Sequence, residues 1–209
     1  MMKLIFLSLF ACFYCNALLG QSPQLRSEKE LADSKWTDHT KCFAKLLEIQ
    51  NIDSFLEFGV GEGTKFYLDH CKEVCSVEIL GQAKMGNLPY YYDCCVLFNQ
   101  YPNWSSILHF CGNALNNAVE IAEIYRVNPE SLNNEYMQEI HQICDDLFKD
   151  KKYDAVFVDS AVIVRGSIVN ALFNRTDIIM AHDYNALPHI YGWNWVKTPS
   201  SYEQIVLIS

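Results

Sequence analysis

Glu57-Phe58-Gly59-Val60-Gly61-Glu62-Gly63-Thr64 is the stretch of this chain that decides how the rest is read. Residues 53–58, which run into it, form a short segment of strand length with Phe55, Leu56 and Phe58 apolar, and residues 64–71 behind it have the composition of a helix. A strand that runs into glycines and a helix that starts among them make a turn with two properties. Missing side chains let a ligand approach the backbone, and the first helical turn offers N–H groups with no partner inside the helix. Such a turn predicts the phosphate-side loop of a nucleotide-cofactor-binding α/β domain.

Working outward, strand, loop and helix repeat. Residues 74–79 read as a second strand carrying Glu78, 106–111 as a third that stops at Gly112-Asn113, 153–158 as a fourth that stops at Asp159, and 177–181 as a fifth that stops at His182-Asp183. Helical spacing is expected over 31–49, over 114–149 with a break at Asn128-Pro129, and over 163–173; residues 81–103, with Tyr90-Tyr91-Tyr92, read as irregular. Two apolar runs at 190–196 and 203–208, separated by Lys197 to Ser201, predict a C-terminal β-hairpin. The fold class that follows is α/β, a doubly wound, mostly parallel Rossmann-like sheet with a C-terminal antiparallel hairpin. With 209 residues, half of them hydrophobic, the chain suits one well-filled domain. That domain is expected at 53–209, behind a linker and N-terminal helix at 21–52.

Residues 1–20 follow another grammar. Lys3 precedes an apolar run from Leu4 to Cys15, too short to cross a bilayer comfortably, and Cys15 and Ala17 are small enough for a cleavage site. A signal peptide or N-terminal anchor is expected, with a lipobox-like Leu9 to Cys12 as the rival reading. This places the protein in the secretory pathway or outside the cell, with membrane association through the N-terminal segment or a cytoplasmic location as alternatives. Of nine cysteines, the seven after residue 20 have no C-x-x-C spacing, so sulfur ligation of a metal is not expected. Cys75 and Cys111 read as small buried hydrophobes, and export would permit one or two disulfides. A net charge of −9 argues against nucleic acid as a partner, because a phosphate backbone calls for clustered Lys and Arg.

In an open parallel sheet, ligands sit beyond the carboxyl ends of the strands, so the residues where each strand stops are the candidates. Gly59, Gly61 and Gly63 end the first strand. Glu78, nineteen residues after Gly59, stands where an acid accepts the hydroxyls of a ribose, and Asn113 where an amide meets an adenine edge. The spacing Glu57-x-Gly59-x-Gly61-x-Gly63 resembles the first motif of class I S-adenosylmethionine-dependent methyltransferases, whose acid two positions before the first glycine lies near the methionine part of the cofactor. By that resemblance Glu78 is the ribose-binding acid. Gly112-Asn113-Ala114 is similar to the family's adenine motif with Asn in place of Asp, and Asp159 matches the fourth-strand residue near the transferred methyl. The likeness spans most of residues 53–208, the expected hairpin included.

The resemblance implies S-adenosylmethionine as cofactor, bound by Glu57, Gly59, Gly61, Gly63, Glu78, Asn113 and Asp159, and methyl transfer to a hydroxyl of a small molecule or glycan. Asp159, His182 and Asp183 are the candidate catalytic residues, with Asp159 as base. His182 reads equally as a base, a ligand or a histidine satisfied at a strand end. Asp159, Asp183 and Asn185 form a candidate oxygen-ligand set for a divalent metal such as Mg2+, similar to that of metal-dependent O-methyltransferases except that Tyr184 separates the last two. Arg165 reads as a surface ion-pair residue or as a clamp for a substrate anion. The tyrosine run and Trp193-Asn194-Trp195 read as packing or as the lining of an aromatic pocket. A dinucleotide-dependent oxidoreductase is the competing enzyme class, but its fingerprint requires glycine where Thr64 stands. An exported, non-catalytic binding module is the competing non-enzyme class, since the cofactor is made in the cytosol.

Overall fold

The computed structural model describes residues 2–8, 22–34, 37–125, 135–160, 165–183 and 191–208. Its framework is a parallel sheet built around β2 (Ser54–Phe58), β3 (Glu73–Leu80), β4 (Trp104–Phe110), β5 (Ala155–Val158) and β6 (Ile178–Ala181), in the order β4-β3-β2-β5-β6. Every pairing among these five is parallel. Two further strands extend the sheet past β6. β1 (Met2–Ser8) pairs with β6, and β7 (Tyr202–Ile208) pairs with β1, both in parallel. β1 comes from the segment read as a leader, and residues 9–21 lie outside the described part.

Successive side chains of a strand point to opposite faces, and here that alternation sorts two cores. Leu56, Phe58, Val156, Val158, Ile179 and Ala181 pack on one face with α5 (Asn113–Tyr125), α6 (Glu135–Phe148) and α7 (Arg165–Leu172). Phe55, Ala155, Phe157, Ile178 and Met180 pack on the other with α1 (Glu28–Asp33), α2 (His39–Leu47), α3 (Thr64–His70) and α4 (Leu88–Phe98). Strands covered on both sides can be continuously apolar, as β5 and β6 are. The same alternation decides where the polar exceptions go. Glu57 lies between Leu56 and Phe58, and His182 follows Ala181, so both face the α2–α3 side.

Several expectations are corrected. The single helix over 31–49 is two: α1 opens on a capping box between Ser27 and Glu30, and α2 buries His39, Thr40, Cys42, Phe43 and Leu46 on one face. Within the segment read as irregular, Pro89 sits at the start of α4, where a missing N–H costs nothing, and the helix buries Tyr91, Cys94 and Phe98. The C-terminal hairpin does not form. Its first arm is a 3-10 turn at Trp193–Trp195, entered through Gly192 in the left-handed conformation, and the Trp193 indole N–H donates to the Asp183 carbonyl (3.0 Å). An apolar run of strand composition is thereby tied back to the end of β6, and β7 lies parallel rather than antiparallel. Trp193 is core, Trp195 and Tyr92 are exposed, and the seven cysteines from Cys42 onward are free thiols. Cys75 is buried as expected, whereas Cys111 is half-buried. Among the described residues, no helix is long and apolar enough to cross a membrane.

Candidate functional site

The carboxyl ends of β2, β3, β5 and β6 converge, and Gly59 is the tightest point. Its φ of +102° is a conformation that side chains rarely adopt, and a Cβ there would lie 2.4 Å from the Asp159 carbonyl oxygen. Glycine at 59 is therefore required by the approach of β5. At Gly61 a Cβ would meet only ordinary contact, the nearest atom being the Tyr90 hydroxyl at 3.7 Å. At Gly63, a Cβ would fall 2.7 Å from His39 Nε2, so this glycine makes room for an imidazole of the same chain.

Thr64 closes the turn from inside. Its hydroxyl donates to Glu57 Oε1 (2.7 Å) and accepts the Gly61 N–H (3.1 Å). Ser76, the register partner of Glu57 on β3, donates to the same carboxylate oxygen (2.5 Å) and accepts from the Trp104 indole (2.8 Å). Burial pushes the Glu57 carboxyl up to about 8; the Ser76 and Thr64 hydrogen bonds pull against it, and the charges of Glu78 and Asp159 add to it.

Glu78 reaches across to the glycine turn. Its Oε2 accepts the Val60 N–H (3.1 Å), while its Oε1 is buried with no partner among the described residues. Burial raises this carboxyl to about 7, with the Val60 N–H and Arg165 opposing and Asp159 reinforcing. An orphaned, buried acceptor beside the glycine turn has the chemistry to accept a ligand hydroxyl, as a ribose would supply. Asn113 sits apart, exposed at the start of α5. The neighbouring Gly112 N–H donates to Glu139 Oε1 (2.6 Å), and a Cβ on Gly112 would lie 2.8 Å from Glu139 Oε2, so this glycine serves the packing of α6.

Between β5 and β6 lies a buried charge cluster. Arg165 is not a surface residue: its NH1 contacts Asp159 Oδ1 (2.8 Å) and Asp183 Oδ2 (2.9 Å), its Nε donates to the Ser160 carbonyl (3.1 Å), and its guanidinium lies over the Tyr191 ring (4.3 Å). Burial works against this cation, but the two carboxylates hold it protonated. The clamp is thus filled by the protein's own acids. Asp183 takes φ +58°, which turns its carboxylate toward Arg165. Of the expected metal set, Asp159 and Asp183 both contact the Arg165 guanidinium, and Asn185 lies outside the described residues.

His182 Nδ1 is 3.3 Å from Asp159 Oδ1 and 3.6 Å from Asp183 Oδ2, and its Nε2 is 3.9 Å from Asp38 Oδ1. Burial disfavours the imidazolium, but the surrounding carboxylates, Asp159 foremost, raise it to about 10. Burial likewise opposes ionisation of Asp159, yet Arg165 and His182 hold it well below the usual carboxylate range. His39 stands edge-on to His182 (5.2 Å between ring centroids) and against Phe157 (4.6 Å); burial, with the charge of His182, lowers it to about 3 and keeps it neutral. Asp38 and His39 were not singled out in the sequence. They belong to α2, far from any strand end in the chain, and only the docking of α2 brings them here.

No family model matches the chain, and no curated protein matches it.

Proposed function

We propose that this protein is an S-adenosylmethionine-dependent methyltransferase acting on a hydroxyl of a small molecule or glycan. The single observation that carries the reading is Glu78 Oε1, a buried carboxylate oxygen without a partner among the described residues, held beside the Gly59–Thr64 turn through Val60. In this reading Glu78 accepts the ribose hydroxyls, Gly61 lets the cofactor approach the backbone, and Asn113 meets the adenine. When bound, the sulfonium cofactor supplies an activated methyl group for in-line displacement.

The protein's own residues then orient and exclude water. Glu57, tied by Thr64 and Ser76, holds the turn that would carry the methionine end of the cofactor. Asp159, kept ionised by Arg165, offers an acceptor oxygen; a carboxyl held so far down is a weak proton acceptor, so its part is to position the acceptor hydroxyl, whose proton passes to solvent water as the oxygen–methyl bond forms and the methyl–sulfur bond breaks. The dinucleotide reading has less support, since Thr64 replaces the required glycine and its hydroxyl is engaged by Glu57. A non-catalytic binding module on the same fold is favoured by one observation: Asp159 and Asp183 are both engaged by Arg165.

Thermal melting with saturating S-adenosylhomocysteine tests the proposal. A rise in Tm that is lost in Gly61→Arg and reduced in Glu78→Gln is the expected result. No shift in the wild-type protein would overturn it. A shift without turnover on any hydroxyl acceptor would instead favour the binding module.

A further inference from the structure

Beside its ion pairs the cluster holds poorly satisfied atoms. Asp38 Oδ1 and His39 Nδ1 are buried without a hydrogen bond to the described residues, and the ring nitrogens of His182 meet Asp159 (3.3 Å) and Asp38 (3.9 Å) as ion-pair contacts without hydrogen-bond geometry. Buried polar atoms left in this way are costly, and several in one place call for a common partner. Asp38, His39 and His182 each place one ligand atom within 4.8 Å of the other two, as groups around a single ion do. The residues are 7%, 5% and 5% exposed, so bulk water does not serve them.

From this juxtaposition we propose that the carboxylate of Asp38 and the imidazoles of His39 and His182 form a site for a divalent transition metal of the Zn2+ type. Two imidazoles and one carboxylate are a ligand set such ions favour, with ligand bonds of about 2.0–2.2 Å, and the 3.9 Å between Asp38 Oδ1 and His182 Nε2 leaves room for an ion between them. His182 Nδ1 stays beside Asp159 at 3.3 Å, an outer carboxylate of the kind that orients a metal-bound imidazole. Charge agrees as well, provided the ion takes the place of the His182 proton: Asp38, Asp159 and Asp183 surround Arg165 and His182, and a divalent cation on the neutral imidazole of His182 balances the three carboxylates together with Arg165. The ion would fasten the first turn of α2 to the end of β6, over the carboxyl ends that form the cofactor site. Asp159, His182 and Asp183 also lie close together, but Arg165 is already among them, so the second site is not proposed.

The proposal is independent of the methyltransferase reading, and its test uses no activity. The full chain is purified without chelator for elemental analysis, then stripped and titrated with Zn2+ by calorimetry and with Co2+ by absorption spectroscopy. One equivalent per chain is expected, with visible Co2+ bands characteristic of nitrogen and oxygen ligands. Asp38→Asn and His39→Gln, checked for folding by circular dichroism, are expected to weaken binding by at least about tenfold. Absence of a stoichiometric site in the wild-type chain overturns the proposal. So do thiolate charge-transfer bands, which would assign the metal to the free cysteines, and so does affinity unchanged in folded Asp38→Asn. If both variants unfold, the wild-type Co2+ spectrum alone decides between imidazole and thiolate ligation.

Discussion

Thr64 and Glu57, seven residues apart and on opposite sides of the glycine turn, are joined by a 2.7 Å hydrogen bond in which the threonine hydroxyl donates to a buried carboxylate. The bond makes the turn a closed unit, because the same hydroxyl accepts the Gly61 N–H. Thr64→Val keeps the shape and removes the hydroxyl, leaving the Gly61 N–H without its acceptor and Glu57 Oε1 with the Ser76 hydroxyl alone. The expected cost is about 1–3 kcal/mol in urea unfolding, with Thr64→Ser close to wild type.

Glu57 and Glu78 make stability depend on pH in an unusual direction. Both carboxyls are raised by burial, from 4.5 to about 8 and about 7. The folded state therefore holds their protons more tightly than the unfolded state, and the slope of unfolding free energy with pH is negative between the two values. Their contribution is fully present below the unfolded pKa and is lost as pH rises through the folded one. Urea midpoints measured from pH 5 to pH 8 are expected to fall less steeply in Glu78→Gln and Glu57→Gln than in the wild type.

Gly59 and Gly61 look alike in the motif but differ in what surrounds them. Gly59→Ala forces a side chain into a positive φ and onto the Asp159 carbonyl, and a loss of about 2 kcal/mol or more is expected. Gly61→Ala meets only ordinary contact and is expected to cost under about 1 kcal/mol, the two being compared by chemical denaturation.

Removing Arg165 leaves Asp159 and Asp183 facing each other with only His182 within ion-pair distance of both among the described residues. Arg165→Met is expected to destabilise the fold by about 3–5 kcal/mol, as the loss of one partner from a buried ion cluster does. Arg165→Lys restores the charge but not the fork that reaches both acids and the Ser160 carbonyl, so only partial recovery of the melting temperature is expected.

Local pattern determined much of this protein. The five parallel strands and the residues at their ends were legible because an apolar run stopping at a glycine or an acid is a one-dimensional signal, and a parallel sheet puts those stops on one side. Glu57, Gly59, Glu78, Asp159, His182 and Asp183 were found that way. Where composition is ambiguous, tertiary contacts decided. Trp193-Asn194-Trp195 has strand composition, but its indole bond to Asp183 makes it a turn, and the tyrosine run lacks helical spacing yet folds as α4 because one face meets β3 and β4. Arg165 was read as a surface residue because no periodicity records that the start of α7 points between two strand-end acids. Asp38 and His39 left no signal at all. Their meeting with His182 depends on the docking of α2 on the sheet, with Phe43 against Phe55 of β2 and His39 against Phe157 of β5, long-range contacts driven by apolar burial rather than by anything written beside the site.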